Sequence, residues 1–168
     1  MPEAVFTGRN GALRTLAWLG LSILVLVTDL WTKSLASAHL ELYRPVEVFP
    51  HFNLMLAHNT GAAFSFLADA GGWQRWFFAT TALVIVTGAT VWISRLGRHE
   101  RWVACALALI IGGAIGNVWD RVTLGYVVDF LDFWWGDYHF PAFNIADTAI
   151  SSGVVMMIID MIRNPEKS

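Results

Sequence analysis

Apolar residues run almost unbroken through four stretches of this chain, residues 13–30, 76–93, 102–118 and 141–162, and polar residues gather between them. Each stretch has about the twenty residues that a helix rising 1.5 Å per residue needs to cross a bilayer. The pattern therefore predicts four transmembrane helices. Arg9 and Arg14 stand at the start of the first stretch. Arg95, Arg98 and Arg101 separate the second from the third, and Arg163 and Lys167 follow the fourth. With alternating helix directions all three basic clusters share one side, which the positive-inside rule makes cytoplasmic together with both termini. The connections 38–75 and 119–140 then face outward.

Polarity inside the first outward connection partly alternates over residues 40–49, and residues 52–57 also read as extended. Together they predict a small antiparallel sheet on the membrane surface. The second connection holds Phe130, Phe133, Trp134, Trp135, Tyr138 and Phe140. Aromatics at that density predict an interfacial segment at headgroup level. Mobile lids are expected within 119–140 or 56–72. The expected architecture is a membrane α-helical protein, one integral domain over residues 1–168, with a small antiparallel sheet on its outward side, which the family resemblance given below makes periplasmic.

Composition agrees: the chain is 56% hydrophobic and 14% charged, well below the roughly 25% charge of soluble proteins. A net charge of −2 with no basic run points to no nucleic-acid partner. Cys105 is the only cysteine, which excludes an internal disulfide and a four-cysteine metal site. One pattern imitates a cleavable secretory signal: Arg9 and Arg14, an apolar run, then Ala36-Ser37-Ala38. Asp29 and Lys33 interrupt it, and an aspartate four residues before a lysine forms a favourable pair on one helix face. A retained first helix is the reading adopted.

Against this background the carboxylates matter most, because ionisable groups at membrane depth are costly and mark function by default. In the third stretch Gly112, Gly113, Gly116, Asn117 and Asp120 recur at helical spacing. The glycines fit close helix packing, and Asp120 beside Arg121 fits either an interfacial ion pair or support of a site. In the fourth, Asn144, Asp147, Thr148 and Ser151 share one face. With Pro141 in the first turn, Asp147 lies about 9 Å along that helix, near the outer boundary. Asp129, within Val127-Val128-Asp129-Phe130, can reach the same level. Two carboxylates close together in a low-dielectric site share a proton, so the pair holds a base and an acid at once. A structural pair or a proton relay uses the same residues. No His-Glu-x-x-His or Gly-x-Ser-x-Gly occurs, and no metal or cofactor is expected. His39, His51, His58 and His139 are expected to make surface contacts.

Several blocks resemble, in order and with compatible spacing, the bacterial lipoprotein signal peptidase family (signal peptidase II, peptidase family A8). They are Asp29-Leu30-Trp31-Thr32-Lys33, Asn59-Thr60-Gly61-Ala62-Ala63-Phe64-Ser65, Gly112-Gly113-Ala114-Ile115-Gly116-Asn117-Val118-Trp119-Asp120-Arg121, Val127-Val128-Asp129-Phe130 and Phe143-Asn144-Ile145-Ala146-Asp147. Leu30 stands where the family pattern has Gln. The resemblance implies an inner-membrane aspartyl endopeptidase that cuts diacylglyceryl-modified prolipoproteins before the lipidated cysteine, with membrane phospholipid around it and globomycin as an inhibitor. It implies Asp129 and Asp147 as the catalytic pair. Asn59, Gly61, Asn117, Asp120, Arg121 and Asn144 would shape the site or hold substrate, supported by Asp29 and Lys33. Strand-like pairing of the substrate near residues 59–65 is a further expectation. The competing readings are a proton- or cation-coupled transporter component and a non-catalytic scaffold. The almost wholly apolar second helix counts against a conducting path.

Overall fold

The computed structural model describes residues 9–61 and 72–165. Its helices are α1 (Arg9–His39), α2 (Gln74–Arg95), α3 (Arg101–Thr123) and α4 (Ile145–Arg163), and each is long and apolar enough to cross a membrane. Strands β1 (Val46–Phe49), β2 (Phe52–Asn59), β3 (Val127–Trp135) and β4 (Tyr138–His139) form one antiparallel sheet in the order β1-β2-β3-β4. Because β2 comes from the first outward connection and β3 from the second, their pairing ties both connections into one cap at one end of the bundle.

The helix at the centre is α3. Twelve of its residues are buried, and it packs against each of the other three helices. Leu107, Ala108 and Ile111 form the core with Ala89, Ile93 and Val103, and Trp18, Leu19 and Met157 pack against them. Large apolar side chains such as Leu24, Val84 and Ile162 are exposed on the outer faces, as suits a bundle whose solvent is lipid. Small residues let α3 meet its neighbours closely. A Cβ added at Gly113 would run into the backbone carbonyl of Ala146 on α4, and one at Gly116 would stand 2.5 Å from the Asp29 carboxylate on α1. Helix backbone cannot move aside as a flexible side chain can. Gly113→Ala is therefore expected to cost about 1–3 kcal/mol by overpacking, read as a lower thermal midpoint in detergent. An unchanged midpoint would show that α3 and α4 have slack there.

Three expectations need correction. Helix α1 continues well past residue 30, to His39, and contains the expected Asp29–Lys33 pair, 2.7 Å apart. At 31 residues and 1.5 Å each it is about 46 Å long. Helix α4 starts at Ile145 rather than Pro141, since residues before it bond to β3: Phe143 accepts from the Phe130 and Leu131 amides at 3.0 and 2.9 Å and donates to the Leu131 carbonyl at 3.1 Å. The aromatic-rich stretch 119–140 also holds strands that were not expected there. Helix α3 runs to Thr123, Gly125 at φ +90° carries the chain out of it, and β3 and β4 follow. Val127, Val128, Asp129 and Phe130 are all buried, so this strand shows none of the alternation that marks a strand with one wet face. Most of the 56–72 stretch, where a lid was expected, lies outside the described residues.

Candidate active site

The site forms where β2, β3, α3 and the start of α4 converge. Asp129 sits on β3 directly opposite Ala57 of β2. That small partner leaves room for a diagonal contact, and Asn59 makes it, its Nδ2 donating to Asp129 Oδ2 at 3.1 Å. The Phe143 backbone pairing places Asn144 beside the same strand. Asn144 Nδ2 then donates to Asp129 Oδ1 at 2.7 Å, with the Asn117 Oδ1 and the Val128 carbonyl both at 3.2 Å.

Asn144 is also the N-cap of α4, and it forms a capping box with Asp147. Its Oδ1 accepts the Asp147 amide at 2.8 Å while Asp147 Oδ2 accepts the Asn144 amide at 3.3 Å. One residue thus caps the helix and holds both aspartates. With Asn144 as N-cap, Asp147 lies in the first turn, about 4.5 Å along the helix, shallower than counting from Pro141 suggests. Its other oxygen accepts from Asn117 Nδ2 at 2.7 Å.

Behind this pair stands a buried chain of charges. Lys33 Nζ lies 2.7 Å from Asp29 Oδ2, 2.9 Å from Asp120 Oδ2 and 3.1 Å from Asn117 Oδ1. Asp29 Oδ1 accepts the Ala146 amide at 2.9 Å, and Asp120 Oδ2 accepts the Val128 amide at 3.1 Å. Each carboxylate therefore grips the backbone one residue from a candidate catalytic aspartate. Asp120 is paired with Lys33, and its neighbour Arg121 faces elsewhere: Nη2 donates to the Gly61 carbonyl at 3.0 Å, and Nη1 to the Asn117 carbonyl at 3.3 Å. Gly61 also donates its amide to Asn59 Oδ1 at 3.0 Å. All ten residues singled out from sequence thus lie in one connected network, while Ala62 to Ser65 of the second motif block fall outside the described residues.

A cleft of about 1070 Å³ opens over Asp129 and Asp147, lined also by Asn59, Arg121, Phe140 and Ile150. Asp129 is buried, and its carboxyl is pushed up to about 7, first by burial and then by the negative charge of Asp147; the bonds from Asn59 and Asn144 act in the opposite direction. Asp129 therefore keeps its proton up to near neutral pH, beside a second carboxyl group. Such an arrangement offers an acid and a base to one bond.

Sequence reasoning missed a second polar cluster on the same cleft. Asp132 is completely buried, accepts from Asn53 Nδ2 at 2.8 Å and lies 2.9 and 3.0 Å from His139 Nδ1. The cross-strand register Asn53↔Asp132 explains one contact and the β3–β4 turn the other. A carboxylate amid Leu131 and Phe133 was the available signal. His51 stacks on Trp135 and His58 on Tyr126.

A family model described as signal peptidase (SPase) II, Peptidase A8, matches residues 21–163. A lipoprotein signal peptidase of Pseudomonas putida is 54% identical over 156 residues, covering 92% of this chain and 91% of its own. Another, from Ectopseudomonas mendocina, is 52% identical and covers 100% of this chain and 97% of its own. Among solved structures, a bacterial membrane enzyme determined by the in meso method superposes with a TM-score of 0.80 at 29% identity, covering 90% of this chain and 91% of its own.

Proposed function

The chain belongs to the signal peptidase II family, and we propose that it removes signal peptides from lipoprotein precursors by an aspartyl mechanism run by Asp129 and Asp147. The observation that carries this reading is the buried Asn144, which bonds to both of the carboxylates that line the cleft. A pair that shares a rigid partner and one proton is preorganised for hydrolysis.

The charged carboxylate of Asp147 takes a proton from a water molecule, whose oxygen bonds to the scissile carbonyl carbon. Protonated Asp129 donates toward the carbonyl oxygen, where negative charge develops. Collapse of the tetrahedral intermediate breaks the C–N bond, and a proton held by the pair passes to the leaving amine. That amine belongs to a cysteine whose diacylglyceryl group stays in the membrane, so the lipid fixes the bond at the height of the first turn of α4. The reading places the protein in the bacterial inner membrane, with both termini cytoplasmic, the cleft toward the periplasm and globomycin as an occupant of the cleft.

The direct test offers purified protein a precursor with and without diacylglyceryl on its cysteine. Cleavage of the lipidated form alone, giving a product that begins with the modified cysteine by mass spectrometry, is expected. Equal cleavage of both forms would remove the lipid from the mechanism.

The reading also has a pH signature. A raised Asp129 means that the folded protein keeps this proton above the ordinary carboxylate range and loses it as pH rises through about 7. The rate should therefore fall on the alkaline side near that value. Removing the Asn59 bond takes away a contact that favours the ionised form, so Asn59→Ala is expected to move the alkaline limb to higher pH. A limb unmoved in the kcat/KM profile would detach it from Asp129.

A further inference from the structure

At the end of the bundle opposite the sheet, a second concavity of about 500 Å³ lies between the first turns of α1 and the turn joining α2 to α3. Arg14, Arg98 and Arg101 line it, together with apolar residues that include Leu13, Trp18 and Ile93, and among the described residues no carboxylate does. None of the three arginines makes an ion pair among the described residues. Arg14 donates one long bond, 3.4 Å, to the Leu96 carbonyl, and its Nε is buried without a hydrogen-bond partner.

The backbone adds to this charge. Helix α3 begins here at Arg101, and its N-cap Glu100 makes no side-chain bond to the first-turn amides. The Glu100 carboxylate is instead engaged by the Gly97 amide at 2.6 Å. Free amides and the positive end of the helix dipole therefore face the same corner as the guanidinium groups.

Arginines at a helix end need only to stay on one side of the membrane, and Arg95 and Arg163 do that from exposed positions. A cavity between three helices, with a buried donor lacking a partner, requires more. We propose that this concavity binds the phosphate of an anionic phospholipid, clamped by Arg14, Arg98 and Arg101. Leu13 is exposed beside it, and apolar helix faces lead from it along the membrane. A lipid has chains to lay on those faces, and a free anion has none. Basic pockets between helices at a membrane face suit such headgroups. The bound lipid would join the start of α1 to the α2–α3 turn, a function separate from peptide cleavage.

The test uses the full chain in a neutral detergent with dioleoyl phosphatidylglycerol or dioleoyl phosphatidylcholine, the retained lipid being measured by native mass spectrometry. Selective retention of the anionic lipid is expected. Arg98→Gln with Arg101→Gln should weaken it about thirtyfold, at roughly one kilocalorie per mole for each arginine. Arg95→Gln with Arg163→Gln should leave it in place. Equal losses in the two double variants, or equal retention of the two lipids, would overturn the proposal. So would displacement of the lipid by equimolar inorganic phosphate, which would reassign the site to a soluble anion. Should the first double variant not fold, Arg98→Glu alone carries the same expectation through an exposed side chain. Normal precursor cleavage by these variants would leave the catalytic reading untouched.

Discussion

Asp129→Asn and Asp147→Asn should each leave a lipidated precursor uncut, with kcat/KM lowered by about ten-thousandfold or more. Both substitutions keep side-chain shape but turn one accepting oxygen into an NH2 group, so one of the two bonds that each carboxylate accepts is lost. What they remove is the proton at Asp129 or the charge at Asp147. A loss of that size corresponds to more than about 5 kcal/mol of transition-state stabilisation. Because the two act as one proton-sharing unit, the double variant should be scarcely worse than either single one. Additive losses would mean that the residues act separately, and undiminished cleavage by either variant would sink the assignment. The control is retained folding, read as a cooperative thermal transition whose midpoint falls by no more than the about 1–3 kcal/mol that one donor left unpaired costs.

Lys33→Met is expected to have the largest effect on stability. The lysine is 3% exposed and lies between Asp29, at 0%, and Asp120, at 5%. Removing it leaves two buried carboxylates facing each other with no counter-charge, which costs about 3–5 kcal/mol. The damage should reach the site as well, because Lys33 holds Asn117, and Asn117 holds Asp147. Combining Lys33→Met with Asp29→Asn and Asp120→Asn should recover part of the lost midpoint, since no unpaired charge then remains buried. Thermal unfolding in detergent separates the outcomes. A single variant that melts like the parent would show that the three charges are not an interdependent unit.

How far the chain can be read without its fold follows from particular residues. The helices are legible because lipid demands about twenty apolar residues in a row, and Asp129 and Asp147 are legible because charge is costly there. The end of α1 is not, since the apolar run stops at Leu30 while the helix carries on through Asp29 and Lys33 to His39. The start of α4 is misread for a related reason. Pro141 suits a first helical turn, yet Phe143 is taken up by β3 and the capping box begins at Asn144. Asparagine followed three residues later by an acidic group was a usable signal. Strand β3 escapes because both its faces are covered. Asp132 is missed with it, its partners Asn53 and His139 being distant or across a turn.

By itself the sequence determined a four-helix membrane protein with two candidate carboxylates near one membrane boundary, since solvent-transfer costs act residue by residue and leave a mark on composition. Only the tertiary structure decided that Asn144 bridges those carboxylates, that Lys33 reaches Asn117 behind them, and that burial raises Asp129 toward neutrality. Those depend on which groups meet and how deeply each is buried, and contacts between residues far apart in the chain exist only once it has folded.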